Sequence, residues 1–267
     1  RQSAASTLIA RRQVAVGVSG GLDAAVHAAR RLLAIWRSDP VRFSSKVFVK
    51  LDLRNAFNLC SREKMMEGVR RLLPDGASYL SQAYGIPTNL IFGQHIIQSE
   101  SGTQQGDPVG GLGFAIVLAC ARDAITASNS PELDLESWFF DDGSLGGDIP
   151  SVATFFHNFD RISVEYGFER RPDKCEFSCH ESAHQEVCAT FRCERTNRFD
   201  AVELLGSPIG GSNGDAFAAA LATAAESTFD RIVEMPGAHQ AATVLAYCGR
   251  GLTPHLCRTA LPDLCHI

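Results

Sequence analysis

Two adjacent carboxylates, Asp141 and Asp142, have the residue type and the position that indicate chemistry most clearly. They follow the aromatic pair Phe139-Phe140 and precede Gly143, a pattern typical of a strand that ends in a tight hairpin. The Asp-Gly pair favours a two-residue turn, because both residues tolerate a positive φ angle. Neighbouring like charges repel each other, whereas hard divalent cations would bind them, since magnesium prefers carboxylate oxygens. Aspartate is also common in turns, so the pair alone does not establish a metal site.

A third carboxylate, Asp52, stands near the end of another predicted strand. Residues 47–53 alternate apolar and polar side chains, which places Asp52 on the face opposite to the apolar residues Val47, Val49, Leu51 and Leu53. Residues 54–58 then turn into a helix. We expect Asp52 to converge with Asp141 and Asp142 on one cluster of ions. Two metal ions about 3.5–4 Å apart stabilise both the attacking and the leaving oxygen of an in-line phosphoryl transfer.

A loop and an apolar helix separate Asp52 from the Asp-Asp hairpin. Residues 101–108 have the Gly-rich and polar composition of a loop, and a helix is predicted from about Val109 to Ala127. Pro108 suits the first turn of that helix, where its missing N–H does no harm. The strand, the loop with its helix and the acidic hairpin, in this order, are far more specific than any one of them.

In this order the motifs resemble those of the reverse transcriptases of non-LTR (LINE-type) retrotransposons. The matching segments are the first palm motif at 52–58, the second at 105–108, the aromatic-x-Asp-Asp box at 139–142, the fourth motif at 167–174 and the primer-grip hairpin at 205–210. Gln13 and residues 17–29 are similar to the fingers segment that precedes the palm. The resemblance covers about residues 11–212 in unbroken order. The chain departs from it at Arg171, where the family often has asparagine, and at Phe140, which is bulky for its position in the box.

The resemblance implies an α+β fold of the right-hand polymerase type. The palm, an antiparallel sheet with helices packed on one face, would span residues 46–212, with a finger insertion at about 74–106. Residues 1–45 would form the C-terminal part of the fingers, and 213–267 the start of a helical thumb. The resemblance also implies a longer parent polypeptide in which an endonuclease and basic finger residues flank this region.

The activity implied is RNA-directed DNA synthesis in retrotransposition, with an RNA template, a DNA primer and dNTPs as partners. Asp52 and Asp141 would bridge two Mg²⁺ ions, for which Mn²⁺ could substitute, and Asp142 would be an auxiliary ligand. The resemblance implies three further roles. The nucleotide pocket would be formed by Leu53, Phe57, Gln105 and Gly106, and Lys174 would neutralise or protonate the leaving pyrophosphate. The primer end would be held by Leu205, Gly206 and Ser207.

Phe57 bears on which nucleic acid is made. The family places a bulky ring five residues after the first aspartate, against the 2′ position of the incoming sugar, so a ribose hydroxyl would clash. This favours a DNA polymerase over an RNA-dependent RNA polymerase. The alternative, that Phe57 is a core aromatic residue at a helix start, stays open.

Two other functions deserve consideration. Residues 19–23, Ser-Gly-Gly-Leu-Asp, resemble the phosphate loop of ATP pyrophosphatases, although Ala24 replaces the final serine of that motif. That enzyme class also requires a parallel nucleotide-binding sheet downstream, where the polymerase motifs lie instead. In the simpler interpretation the glycines form a turn and Asp23 caps the following helix. The third possibility is a catalytically inert, polymerase-like scaffold that binds RNA.

Composition and charge set the remaining limits. The chain is 267 residues long, 45% hydrophobic and 21% charged, which is typical of a globular domain, and no apolar stretch is expected to span a membrane. The net charge is −5, but residues 1–50 contain nine basic and two acidic residues. This basic segment predicts phosphate binding or, equally well, a solvated helix face from Arg30 to Arg37.

The nine cysteines indicate reduced thiols, because nothing in the sequence points to secretion; we expect a nuclear or cytoplasmic setting. Residues 175–193 contain four cysteines and two histidines, a composition that suits zinc, but no Cys-x-x-Cys knuckle is present. Buried or edge-strand thiols are the preferred interpretation. Periodicity predicts helices at about 22–37, 61–73 and 150–166 and from 215 onward, and strands at about 86–92, 95–100, 174–178 and 185–192.

Overall fold

The computed structural model describes residues 13–210, 214–247 and 254–259. These residues form two compact units. The first contains the described residues up to Gly21 together with Ser45–Thr196, and the second contains Leu22–Ser44 and the described residues from Asn197 onward. This division does not test the predicted fingers, palm and thumb boundaries, which stay a prediction.

The fold is mixed α/β with antiparallel sheets. The helices, numbered α1–α10 in chain order, are Gly21–Ser38, Ala56–Leu59, Arg62–Leu72, Ala77–Tyr84, Gly110–Ala127, Ile149–Ile162, His184–Phe191, Gly214–Val233, Ala238–Tyr247 and Pro254–Thr259. The strands, numbered β1–β8, are Lys46–Leu51, Thr88–Phe92, His95–Ser99, Leu135–Phe139, Asp142–Asp148, Glu176–Cys179, Glu203–Leu204 and Ser207–Pro208.

The main sheet belongs to the first unit and has the strand order β4-β5-β1-β6, with every neighbouring pair antiparallel. Strand β1 is therefore central. Its apolar residues Val47, Val49 and Leu51, together with Leu53, join one hydrophobic core, which confirms that they share a face. The other face of β1 is not open, because Phe48 is also fully buried.

Helix α5 forms the middle of that core. Phe114, Ile116 and Leu118 are almost fully buried, and α3 approaches this helix closely at Gly68. A Cβ at Gly68 would lie 2.6 Å from Cγ2 of Ile116, so glycine permits the contact. By length and hydropathy α5 also meets the criterion for a membrane span, contrary to expectation, but 61% of it is buried in the protein, as in the core helix of a globular domain.

The predicted helices and strands are largely confirmed. Ser61 caps α3 by accepting a hydrogen bond from the amide of Lys64, and Gly167 ends the turn after α6 with a φ angle of 78°. One element is wrong. Residues 185–192 were expected to form a strand but lie mostly in α7. Val187 and Phe191 fit the alternation of a strand, but their i, i+4 spacing equally suits one face of a helix. In the structure Phe191 stacks on Phe177, with ring centroids 4.8 Å apart.

The second unit contains α1, the short β7–β8 hairpin and helices α8 to α10. Within it Trp36 of α1 packs against Phe199, with ring centroids 5.5 Å apart. The guanidinium of Arg30 donates hydrogen bonds to the carbonyl oxygens of Pro208, at 2.8 Å, and Ile209, at 3.3 Å. The hairpin and α1 are therefore joined by both apolar and polar contacts.

Candidate active site

The acidic hairpin is a two-residue turn, but its tip is not where the Asp-Gly pair predicted it. Phe139 pairs with Asp142, so Phe140 and Asp141 form the loop. The positive φ angle, 53°, belongs to Phe140, a conformation that costs a non-glycine residue on the order of 1–3 kcal/mol. Gly143 lies in β5, where a Cβ would come within 2.8 Å of the Trp138 ring. Glycine at this position therefore serves sheet packing.

Asp52 stands at the same end of the sheet as this hairpin. The last paired residues of β1 and β5 are Leu51 and Gly143, and Asp52 and Asp142 each lie one residue beyond that pair. The carbonyl oxygen of Asp52 accepts a hydrogen bond of 2.9 Å from the amide of Arg171. The segment that resembles the fourth motif therefore fixes the backbone at Asp52.

The three carboxylates affect one another electrostatically. Burial of Asp141 raises its pKa above the ordinary value, and the negative charge of Asp52 raises it further. Desolvation also raises the pKa of Asp142, and repulsion by Asp141 and Asp52 adds to this effect, while Lys50 opposes it. In the part of the chain that the structure describes, none of the three forms an ion pair with a basic side chain. The site is thus rich in negative charge and short of a counter-ion.

This donor set fits a hard divalent cation. Magnesium is usually held by one or two carboxylates together with waters and substrate phosphates, rather than by an all-protein cage. Within the described ranges no group of three or more His, Cys, Asp or Glu side chains is arranged to hold a metal ion, so the expected convergence of all three aspartates on one ion is not preformed. The two-metal assignment of Asp52, Asp141 and Asp142, with Mg²⁺ or Mn²⁺, stays a prediction.

Phe57 lies beside the acidic hairpin. Its ring stacks on the core residue Phe114, with centroids 4.2 Å apart and planes at 10°, and is tilted against Phe140 at 5.5 Å. The side chain is only half-buried, whereas the neighbouring Leu53 is 4% exposed. Phe57 contacts both the core and the hairpin, so both interpretations stay open: a steric gate that excludes the ribose 2′-hydroxyl, and a core aromatic residue. The predicted role of Leu53 in nucleotide binding is not tested.

The loop of residues 101–108 is fixed near both ends. The amide of Thr103 donates a 2.7 Å hydrogen bond to the carbonyl oxygen of Phe57. At the other end, the Tyr84 hydroxyl donates to the carboxylate of Asp107. Between these attachments Gln105 and Gly106 form an exposed tip, and Gly106 has a φ angle of 91°. The loop is thus anchored to the start of α2, close in sequence to Asp52, while its tip faces solvent.

The remaining predicted residue in this unit is Lys174. Its side chain is exposed, and its amide donates a hydrogen bond of 3.0 Å to the carbonyl oxygen of Arg171. Arg171, the departure from the family pattern, pairs with Asp173 at 2.9 Å. Lys174 thus lies three residues after the amide that binds Asp52, but its catalytic role stays a prediction.

The predicted primer-grip residues lie in the second unit and form a tight hairpin. Leu205 and Gly206 both have positive φ angles, 49° and 71°, as a type I′ turn requires. His255 donates from Nε2 to the carbonyl oxygen of Leu205 at 2.8 Å, and the hydroxyl of Ser207 is 2.8 Å from that of Thr259. The turn geometry is confirmed, while contact with a primer stays a prediction.

Two residues that hold these loops were not identified from the sequence. Tyr84 lies 23 residues before its partner Asp107, and His255 lies 50 residues after Leu205. These contacts could not be predicted from the sequence, because neither the spacing of the partners nor the residues around them indicate that they meet.

The Ser-Gly-Gly-Leu-Asp segment does not have the environment that an ATP pyrophosphatase loop requires. The main sheet of the described chain is antiparallel, so the expected parallel nucleotide-binding sheet is not present there. Asp23 pairs with Arg258 at 2.9 Å and lies 3.5 Å from His255. The side chain of Asp23 therefore contacts α10, a partner that the helix-cap interpretation did not include.

The cysteine-rich segment contains reduced thiols. Cys188 lies 3.9 Å from the sulfur of Cys193 and 3.9 Å from both ring nitrogens of His184. The Cys179 thiol is hydrogen-bonded to the hydroxyl of Thr196 instead. Burial raises the pKa of Cys193 to about 11, and Cys188 reinforces the shift, so this thiol is protonated at neutral pH.

Comparisons with known proteins find likeness only to solved structures, and it is distant. No protein-family profile and no curated protein matches the chain. A solved structure of telomerase from Candida albicans, in complex with the TWJ fragment of telomeric RNA, is similar with a TM-score of 0.42 and 13% sequence identity. The likeness covers 63% of this chain and 31% of that one, so the chain spans about a third of the telomerase protein.

Proposed function

We propose that the chain is the catalytic region of an RNA-directed DNA polymerase of the non-LTR retrotransposon type. The observation that carries this proposal is the placement of Asp52, Asp141 and Asp142 at one end of the antiparallel sheet. Burial raises the pKa of Asp142, and the negative charges of Asp141 and Asp52 raise it further. No basic side chain in the described ranges forms an ion pair with any of the three. Such a group is costly for folding alone and useful for binding a divalent cation.

The chemistry follows from what these residues would bind. The primer 3′-hydroxyl attacks the α-phosphate of a dNTP, the bond to the pyrophosphate breaks, and pyrophosphate leaves. Asp52 and Asp141 would hold Mg²⁺, which supplies positive charge to both the attacking and the leaving oxygens. Phe57 would exclude the ribose 2′-hydroxyl, the tip at Gln105 and Gly106 would border the base pair, and Lys174 would neutralise the pyrophosphate.

The residues outside the carboxylate group are part of the same proposal. The hairpin at Leu205, Gly206 and Ser207 would steady the primer end, and the template would be RNA. The fingers, palm and thumb boundaries, the flanking domains and a nuclear or cytoplasmic location come with this assignment. The tight turn at Leu205, with its carbonyl oxygen held by His255, supports a rigid element at this position.

Primer extension tests the proposal. Within the longer parent polypeptide that the resemblance implies, the chain should extend a DNA primer on an RNA template with dNTPs and Mg²⁺, and Asp52→Asn and Asp141→Asn should each abolish extension. Asp75→Asn is a matched control, because Asp75 is exposed and lies far from the hairpin in sequence. If the wild-type chain extends the primer no better than Asp141→Asn, the polymerase assignment is wrong.

Two further measurements on the same proteins, ATP cleavage and RNA binding, separate the alternatives. Template-independent cleavage of ATP to AMP and pyrophosphate would favour the pyrophosphatase interpretation of residues 19–23. RNA binding that is unchanged in Asp141→Asn, without extension by either protein, would favour an inert scaffold.

A further inference from the structure

Gln13 makes an unusual set of contacts for a polar residue so far from the hairpin in sequence. Its side chain is buried, at 3% exposure. The amide oxygen accepts a hydrogen bond of 2.9 Å from the backbone N–H of Phe140, and the amide nitrogen donates one of 3.2 Å to the carbonyl oxygen of the same residue. One side chain thus binds both polar groups of a residue 127 positions away.

The chemistry of this contact requires an amide. The oxygen of the Gln13 side chain also accepts a hydrogen bond of 3.0 Å from the N–H of Ala15, so it serves two donors. The nitrogen faces the carbonyl of Phe140, which can only accept. Only one orientation of the amide satisfies all three bonds, and a carboxylate in its place would set an acceptor against an acceptor.

Phe140 is the residue of the hairpin that most needs such support. It is the loop residue with a φ angle of 53°, and it directly precedes Asp141. Its ring is also fixed, because it lies against Phe57 and Phe139, each at 5.5 Å between centroids. A strained residue persists only where its surroundings determine its conformation, and here both backbone and ring are held.

The neighbouring backbone strengthens the arrangement. The amide of Val14 donates a hydrogen bond of 2.8 Å to the carbonyl oxygen of Trp138, in a short parallel bridge beside β4. Residues 13–15 therefore lie along the end of the hairpin, and Gln13 is oriented toward the tip by main-chain bonds that its own substitution would leave in place.

We propose that Gln13 is a positioning residue, which sets the direction of the Asp141 and Asp142 carboxylates by holding the Phe140 peptide in its left-handed conformation. The inference rests on the proposed function only in that the carboxylates are taken to bind a divalent cation. A supporting residue of this kind typically changes metal affinity or activity by about 10–100-fold when it is replaced.

The test compares Gln13→Glu with Gln82→Glu, a control that adds the same charge at an exposed position of α4. Mn²⁺ binding, measured by paramagnetic broadening of NMR signals from the Asp141 and Asp142 amides, should weaken about 10–100-fold in Gln13→Glu. Deuterium exchange of the Phe140 amide should accelerate in the same variant. Both quantities should stay at wild-type values in Gln82→Glu.

Neither readout requires catalysis, so the two proposals fail separately. A wild-type chain that never extends a primer would overturn the polymerase assignment, while amide exchange would still decide the role of Gln13. Unchanged Mn²⁺ binding and unchanged Phe140 exchange in folded Gln13→Glu would overturn the positioning role. If Gln13→Glu does not fold, the wild-type protein decides instead, because a Phe140 amide that exchanges as fast as an open loop excludes the contact.

Discussion

At the scale of single residues, the carboxylates at the end of the sheet lower the stability of the fold, although the proposed function requires them. Burial of Asp141 and the charge of Asp52 both disfavour its ionised form in the folded state. A carboxyl group whose pKa is raised by folding contributes stability below its unfolded pKa, about 3.8, and loses that contribution as the pH rises through the folded pKa. At neutral pH without metal, Asp141 therefore lowers the free energy of unfolding.

Asp141→Asn should consequently abolish primer extension and raise the melting temperature. In EDTA at neutral pH the variant should melt above the wild type, and the difference should vanish as the pH falls below about 4. Added Mg²⁺ should stabilise the wild type and leave the variant unchanged, because the variant lacks a carboxylate of the proposed ion site. Calorimetry across pH checks this, with Asp75→Asn as the control; a variant less stable than the wild type at pH 7 would contradict it.

Phe57 permits a sharper test, because its ring contacts both Phe114 and Phe140. If it excludes the 2′-hydroxyl, Phe57→Ala should raise incorporation of ribonucleotides more than it lowers incorporation of deoxynucleotides. If it is only a core residue, the substitution should cost up to about 3–5 kcal/mol of stability and affect both nucleotides equally. Competing rNTP and dNTP extension, with melting temperatures in parallel, distinguishes the two. An unchanged nucleotide ratio with a large fall in melting temperature would exclude the gate.

At the scale of elements, the acidic hairpin depends on the packing of β5 against β1 and β4. Gly143 should be essential here, because a Cβ would come within 2.8 Å of the Trp138 ring and 3.2 Å of the Leu51 Cβ. Gly143→Ala should cost about 1–3 kcal/mol, as overpacking of a core usually does. Gly147→Ala in the same strand is the control, because its new Cβ would first meet the flexible end of Leu133 at 3.3 Å. Equal losses in denaturant unfolding would contradict the argument.

The elements also mark what could be predicted from the sequence. Helices with a strong apolar period and a cap, such as α3 after Ser61, and strands with clear alternation, such as β1, were predicted because their signals are local. The strand expected at 185–192 failed because apolar residues four apart satisfy both periods. The turn was predicted at the Asp-Gly pair, but the observed loop is Phe140 and Asp141. Gly143 lies in the strand, where its lack of a side chain permits packing against Trp138, so it does not mark the turn.

The candidate site likewise contains residues that were predicted from the sequence and contacts that were not. Asp52, Asp141 and Asp142 were placed together by motif order, and the structure brings them to one end of the sheet. The contacts of Gln13, Tyr84 and His255 with their loops were not foreseen, because they join residues tens of positions apart. Tertiary hydrogen bonds of this kind have no periodicity to detect.

At the scale of the whole molecule, fewer basic side chains of residues 1–50 are available for phosphate binding than the composition of this segment indicated. Within residues 1–50, Lys46 pairs with Asp134 and Asp148, and Lys50 pairs with Glu176. Arg30 is used for hydrogen bonds to backbone carbonyls, and its desolvation lowers its pKa. Three described arginines of the segment remain exposed, namely Arg31, Arg37 and Arg42. Residues 1–12 lie outside the described ranges.

The exposed arginines of α1 decide between phosphate binding and a solvated helix face. If they contact phosphates, the double variant Arg31→Gln/Arg37→Gln should weaken binding to an RNA–DNA duplex and reduce the slope of log affinity against log salt by about 1–2, because each lost phosphate contact releases roughly one counterion fewer. Arg70→Gln, an exposed arginine of α3, is the control for charge alone. Fluorescence anisotropy across a salt series gives both slopes. Equal slopes for the wild type and the double variant would show that this face of α1 is only solvated and that affinity for nucleic acid comes from elsewhere.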